Sequence, residues 1–414
     1  MTINREHGFL AIVLRELDKI FSRFMYIVLL FLVPVFCFVF FATLMPSGLP
    51  MNLELGIVDM DNSVVSRKMI RHIDATASNN VMRFTRYEDA RDLMQQGKIY
   101  GYIVIPENFE KDVSFGRQPK IDFYYNAVFL TAGSISQKNV ATMLATLTGA
   151  VNLTIRRARG QSVESSMGQI QPIVADVHPI GNPEMNYTVY LANLIIPGIL
   201  ELLILLTTAY AIGEELKNRT SRQWLRMADD NVHKALVAKL LPYFIMFLMM
   251  ALLCIAIMFG YMHFPLNTSV VWMVIDSVLM IIAAQSMAVL IVGLLPVLRD
   301  ALSACSLYGV LAFSFSGFTF PIEGMPPFIQ GLSCVFPLRF YFRIYQKMAL
   351  NGCEWYYEWY SFAALIIFML VHTIIVTRLR NACINVDYPK GERDGKNKQE
   401  HIRGNARGGH NRLQ

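Results

Sequence analysis

Six runs along the chain are apolar on every helical face and long enough to cross a bilayer, which takes about 20 residues. They lie near 25–45, 189–212, 240–261, 270–298, 301–320 and 360–377. Between the first two runs the pattern changes. "LELGIVDMD" (53–61), "VMRFTRY" (81–87), "IYGYIVIPENF" (99–109) and "KIDFYYN" (120–126) read as strands. "NSVVSRKMIRHIDA" (62–75) and "EDARDLMQQG" (88–97) read as helices, the first capped by Asp61 or Ser63. A long helical pattern without proline follows at 130–160 and predicts a stalk back towards the membrane. Before the first run, Leu10, Val13, Leu14, Leu17, Phe21 and Phe24 fall on one helical face and Arg15, Lys19 and Arg23 on another. Such a helix is expected to lie in the membrane interface.

The expected fold is a mainly α membrane protein with six transmembrane helices and an inserted α/β domain. Its parts are the interfacial helix and first span (1–45), the α/β domain with its stalk (46–186), a five-helix transmembrane region (187–384) and a polar, Gly-rich, basic tail (385–414) read as disordered. Composition agrees: 54% of the 414 residues are hydrophobic and 16% charged, values that exclude an ordinary soluble domain. The net charge of +6 sits beside the apolar runs, without the aromatic–basic patterns of a nucleic-acid binder, so no nucleic acid is expected. Arg15, Lys19 and Arg23 precede the first run, Lys217, Arg219, Arg222, Arg226 and Lys234 separate the second from the third, and the tail is basic. The positive-inside bias therefore predicts both termini in the cytoplasm and the α/β domain outside it.

No phosphate-cradling loop, HExxH zinc site or GxSxG elbow is present, so neither catalytic residues, a metal nor a bound cofactor is expected. Asp59 and Asp61 read as a strand end meeting a helix cap. The six cysteines show no paired framework, and free thiols are expected, with a Cys334–Cys353 bridge as the alternative. "WYYEWY" (355–360) reads as an aromatic belt at the outer interface. Glu201 and Asp276 stand inside apolar runs, where a charge is expensive and faces protein or a wet cavity. They either meet a cationic substrate or relay a proton, or join polar contacts between helices. "GEELKNRTSRQWL" (213–225) interrupts the apolar pattern with a polar, amphipathic segment.

Two stretches carry a family likeness. Glu215 ends the second run, Thr220 follows, and Trp224 and Leu225 stand on the apolar face of the next helix; Arg219 occupies a usual Gly, Lys217 a usual Glu, and Arg222 a usual acid. Ser316, Gly317, Pro321, Ile322, Met325, Pro326, Pro337 and Gly352 stand in register with the second pattern, where Gln346 replaces a common Arg. On these residues the chain resembles permease subunits of type-2 ABC exporters. "IVDMDNS" and "IPENFEKDVSFGRQPKIDFYYNA" are similar to the multidrug-efflux-like subgroup with a large periplasmic domain. The resemblance implies an inner-membrane half-transporter that works with a second permease copy or a related chain and with a separate ABC ATPase using ATP and Mg. It also implies a periplasmic membrane-fusion adaptor and an outer-membrane channel.

In that reading residues 213–236 form the ATPase-coupling segment, with Glu214, Glu215, Arg219, Thr220, Trp224 and Leu225 as its site. Trp224, Leu225 and Met227 are the expected apolar anchors for the ATPase, with Arg219, Arg222 and Arg226 as rim. Residues 321–345 become short re-entrant helices. Glu201, Asp276, Ser316, Gly317, Pro321, Met325, Pro326 and Pro337 are translocation or gate candidates. The substrate implied is hydrophobic or amphipathic, drug- or lipid-like. The alternatives are a membrane-anchored scaffold or receptor that binds a partner through its outer domain without transport, and an intramembrane enzyme using Glu201 and Asp276.

Overall fold

A computed structural model describes residues 8–43, 53–75, 79–115, 117–127, 130–158, 160, 181–182, 186–318 and 320–385. The expected tail (385–414) lies outside the described residues apart from Asn385. The chain divides into a helical unit and an inserted unit made mostly of residues 44–179.

The helical unit opens with α1 (Phe9–Ser22), α2 (Phe24–Ile27), a wider π-helical stretch Val28–Leu32 and α3 (Val33–Thr43). The widening directly precedes Pro34, which has no N–H to donate and whose ring crowds the carbonyl four residues back. At Arg23 the backbone turns extended, so α1 and the first apolar run are separate helices.

The inserted unit holds a four-stranded sheet, β1 (Leu53–Asp59), β2 (Asn79–Phe84), β3 (Gly101–Ile105) and β4 (Asp122–Tyr125), in the order β2-β1-β3-β4. β1 pairs parallel with β2 and β3, and β4 closes the edge antiparallel to β3. Helices α4 (Val64–Asp74), α5 (Tyr87–Gln95), α6 (Phe109–Ser114) and α7 (Leu130–Ala158) complete it. The central strand β1 is buried along most of its length, and Leu55 and Ile57 meet Ile70, Ile73 and Ile103 in one core. All four expected strands form; α6 is additional. Ser63 is the N-cap of α4, accepting from Ser66 N at 3.0 Å. Asp59 accepts from Asn62 N and Ser66 Oγ, the role expected where a strand end meets a helix start, whereas Asp61 accepts from Glu110 N at the start of α6.

The helical unit continues with α8 (Tyr187–Lys217), α9 (Ser221–Met227), α10 (Val232–Ile255), α11 (Val270–Leu294) and α12 (Leu298–Ser314). After these come the short α13 (Pro327–Ser333) and α14 (Pro337–Ile344), then α15 (Trp359–Leu370) and α16 (Val376–Ile384). Among the described residues five stretches are long and apolar enough to cross a membrane: Phe24–Phe41, Tyr187–Lys217, Val232–Tyr261, Val270–Leu294 and Trp359–Ile384. The run expected at 301–320 differs. Its helix α12 has 17 residues and stops at Ser314, because Gly317 turns left-handed (φ 82°) and Pro321 follows. At about 1.5 Å per residue it is shorter than the other five.

Beyond it the chain breaks where the prolines predict. Pro321 precedes a 3-10 turn (Ile322–Gly324), Pro326 and Pro327 start α13, and Pro337 starts α14, which widens into a π-helical stretch Tyr345–Leu350. All six cysteines are free.

Candidate functional site

Residues 213–236 are built as helix end, turn, short helix, turn and helix start. α8 runs through Glu214 and Glu215 and ends at Lys217; Arg219 then adopts φ 59°, and α9 begins at Ser221. A second left-handed pair, Asp229 and Asp230, follows, and Asn231 caps α10 by accepting from Lys234 N. Gly213 allows α8 to touch α12, since a Cβ there would meet Leu298 Cδ1 at 2.7 Å.

The structure changes the role of the expected anchors. Trp224 and Leu225 are buried, and Met227 nearly so, in a core with Ile12, Leu205, Ile212, Leu236 and Leu379. They hold α9 to its own chain and offer no surface to a partner. α9 is also tied to the end of α16: Ser221 Oγ donates to Cys383 O at 2.9 Å and Arg222 Nε to Ile384 O at 2.7 Å. From the end of α8 through α9 the exposed residues are Lys217, Asn218, Arg219, Arg222, Gln223 and Arg226, so the expected rim is the surface itself there; Asp229, Asp230, Asn231 and His233 are exposed just beyond.

Under this segment lies a buried charge cluster joining α1, α8 and α10. Glu215 lies 2.7 Å from Arg15, 2.5 Å from Lys19 and 3.0 Å from Lys239. Glu16 lies 2.9 Å from Arg15, 3.2 Å from Lys19 and 2.9 Å from Lys239. Thr220 Oγ1 donates to Glu215, and Tyr243 donates to Glu16 at 3.2 Å. Beside them Glu214 pairs with Arg23 and accepts from Tyr26 at 3.3 Å. Glu16 and Lys239 are fully buried and Glu215 is 1% exposed. Burial alone would raise the Glu16 carboxyl, but the charges of Lys239, Lys19 and Arg15 outweigh it and hold the group below its ordinary value.

Sequence reasoning named Glu214, Glu215 and Thr220 but not Glu16 or Lys239. The signals existed. Lys239 is a lysine inside an apolar helix, and Glu16 is the single acid on a face of three cations. The cluster also sets how α1 lies: its charged face points into the chain, while Leu10, Leu14, Phe21 and Phe24 are 51–79% exposed.

The other candidates lie apart from this cluster. Glu201 (α8) and Asp276 (α11) are fully buried, and none of their carboxylate oxygens has a hydrogen-bond partner. They stand on different helices. Ser316 is buried and donates to Phe313 O, starting the turn that Gly317 completes; a Cβ at Gly317 would stand 2.6 Å from Ile322 Cδ1. Met325 O accepts from Gln330 Nε2 at 2.9 Å, so it anchors α13 through its backbone. Pro321, Pro326 and Pro337 act as helix starts, as described above.

Residues 24–378 match the model of the family described as ABC-2 family transporter protein. The chain is similar to the linearmycin resistance permease protein LnrN of Bacillus subtilis, 23% identical over 83% of this chain and 89% of the relative. It is also similar to two probable multidrug ABC transporter permeases of Escherichia coli. YbhS is 24% identical over 68% of this chain and 71% of the relative. YbhR is 21% identical over 81% and 87%. With the match spanning most of the chain and five helices suited to crossing a membrane, the protein is a multi-pass membrane protein of the ABC-2 transporter family.

Proposed function

We propose that the chain is the transmembrane subunit of an ATP-driven exporter in the inner membrane, with α12 as a sixth span, both termini cytoplasmic and the α/β unit periplasmic. A separate ABC ATPase would hydrolyse ATP with Mg; a second permease copy or a related permease would complete the channel. A periplasmic adaptor and an outer-membrane channel are further expected partners. The cargo class is hydrophobic or amphipathic, drug- or lipid-like, in keeping with relatives whose names refer to linearmycin resistance and multidrug transport.

The observation that carries this reading is the clasp at Glu215. The ATPase grips the polar face made by Lys217, Arg219, Arg222, Gln223 and Arg226. Because Trp224 and Leu225 are locked in the chain's own core, a push on that face moves α9 as a unit. Through Glu215 the displacement reaches α1 by Arg15 and Lys19, and α10 by Lys239. Through Ser221 and Arg222 it reaches α16. The short broken helices at 321–345 are read as re-entrant elements at the far end, where the gate opens past Gly317 and the prolines. Glu201 and Asp276, buried without partners, are the polar points along the translocation route.

The test is co-purification from native membranes in mild detergent. The parent is expected to bring an ABC ATPase with it, and Lys217→Glu/Arg226→Glu, which alters only exposed charge outside the clasp, to lose it. A parent that carries no nucleotide-binding protein in any detergent overturns the coupling assignment and favours the scaffold reading.

A further inference from the structure

The end of the helical unit opposite the Glu215 cluster carries a second charged group. Arg339, Arg343 and Lys347 stand at intervals of four residues along α14 and its π-helical continuation, and so follow one another along one face. One acid faces them. Glu358, fully buried at the start of α15, lies 3.3 Å from Arg343 Nε and 2.5 Å from Lys347 Nζ. It also accepts from Ser361 Oγ at 2.8 Å and Tyr360 at 3.2 Å. Arg339 has no acid within ion-pair distance among the described residues. Its Nη1 is spent on Gln330 O, Ser333 Oγ and Cys334, and its buried Nε has no acceptor. Among the ion pairs of the described residues one carboxylate therefore serves two cations and a third cation has none.

The side chains grade outward. Arg339 is 9% exposed, the Arg343 side chain 28% and the Lys347 side chain 41%. Around the open end stand Trp355, Tyr356, Tyr357 and Trp359, all 48–64% exposed, with Trp355 stacked on Trp272 at 5.7 Å. Exposed Trp and Tyr rings mark the headgroup level of a bilayer. Cations at that level, beside a membrane-spanning helix, call for an anion from the membrane itself.

We propose that Lys347, Arg343 and Arg339 form a site for the phosphate of an anionic phospholipid, with the Trp355–Trp359 rings against its glycerol and upper acyl region. The inference rests on the helices crossing a membrane and not on the coupling role of residues 213–236. The lipid would brace α14 against α15 in the leaflet opposite the Glu215 cluster.

The full chain is reconstituted in phosphatidylcholine nanodiscs doped with brominated phosphatidylglycerol or brominated phosphatidylcholine, and tryptophan quenching is read. Three of the four tryptophans, Trp272, Trp355 and Trp359, lie at this end, whereas Trp224 is buried at the other. Stronger quenching by the brominated anionic lipid is expected. Lys347→Gln and Arg343→Gln should each weaken that preference about fivefold, the size set by one cation at a membrane surface. Lys347→Arg should keep it, and Glu358→Gln, which frees two cations, should strengthen it. Equal quenching by both lipids in the parent, or a preference unchanged by Lys347→Gln and Arg343→Gln, overturns the site. Loss of the preference on adding inorganic phosphate would make a free anion the occupant and overturn the lipid assignment.

Discussion

Six acidic side chains are buried in the described helical unit, and they divide into two sets. Glu16, Glu214, Glu215 and Glu358 each lie against at least one cation. Glu201 and Asp276 lie against none and accept no hydrogen bond. The two sets occupy different places. The paired acids join neighbouring segments, from the end of α8 (Glu214, Glu215), the middle of α1 (Glu16) and the start of α15 (Glu358). The unpaired acids sit inside single helices, Glu201 in the middle of α8 and Asp276 in the second turn of α11. A buried carboxyl without a partner is costly to keep, and removing the cation from a paired one leaves an uncompensated buried charge. The paired set therefore fixes geometry, and the unpaired set marks places where stability has been given up, a pattern typical of functional positions.

Mutation can break this contrast. Lys239→Met removes the fully buried cation between Glu16 and Glu215 and leaves both carboxylates to the partly exposed Arg15 and Lys19, so we expect a loss of about 3 kcal/mol, the lower end for a broken buried pair. Thermal unfolding of the purified protein measures it. Asp276→Asn and Glu201→Gln break no ion pair and should stay within roughly 1 kcal/mol of the parent, yet abolish transport if these residues line the route. A Lys239→Met protein as stable as the parent would erase the distinction between the sets. A double-mutant cycle of Lys239→Met with Glu16→Gln should show coupling of about 0.5–3 kcal/mol, since the two side chains are in contact.

The parts legible in the sequence were those fixed by period and backbone chemistry. The strands expected at 53–61, 81–87, 99–109 and 120–126 form within a few residues of those bounds, and the breaks from Pro321 onward followed from three prolines, whereas the earlier stop at Ser314 did not show in the apolar run. What stayed hidden depended on which way a face turns. The amphipathic pattern of α1 is the same whether Arg15 and Lys19 face water or Glu215, some 200 residues away. Trp224 reads as an anchor for a partner until the fold shows Ile12 and Leu236 already packed on it. Periodicity assigns a face to a helix, but tertiary packing decides what that face meets. Lys239 was the exception: its position in an apolar helix was a local clue to a distant acid.

The next two effects are smaller. Glu16 has a folded pKa below its ordinary value of 4.5, so its contribution is fully present above that value. It is lost as the pH falls through the depressed folded pKa. Unfolding followed from pH 7 downward should therefore show the parent losing stability below about pH 4.5 more steeply than Glu16→Gln, which has no proton to take up there. A parallel acid limb in both proteins would remove Glu16 from the cluster's energetics. Gly317→Ala puts a Cβ on a left-handed residue 2.6 Å from Ile322 and should cost about 1–2 kcal/mol from the backbone alone.

The smallest expected effect separates the clasp from the turn beside it. Arg219 holds φ 59°, a conformation that disfavours a side chain and that glycine adopts freely. Its guanidinium is exposed and makes no ion pair among those found in the structure, while its neighbour Thr220 donates to Glu215. Arg219→Gly should relieve backbone strain in the folded protein while adding chain entropy to the unfolded one, so the two terms oppose and the net change should stay within about 1 kcal/mol. Thr220→Val, nearly the same in shape, removes a hydrogen bond to a buried carboxylate and should cost about 1.5–3 kcal/mol. If the clasp transmits the ATPase's push, Thr220→Val lowers transport per ATP hydrolysed, whereas Arg219→Gly leaves that ratio unchanged. The reverse order would place the coupling in the turn and reduce Glu215 to a packing role.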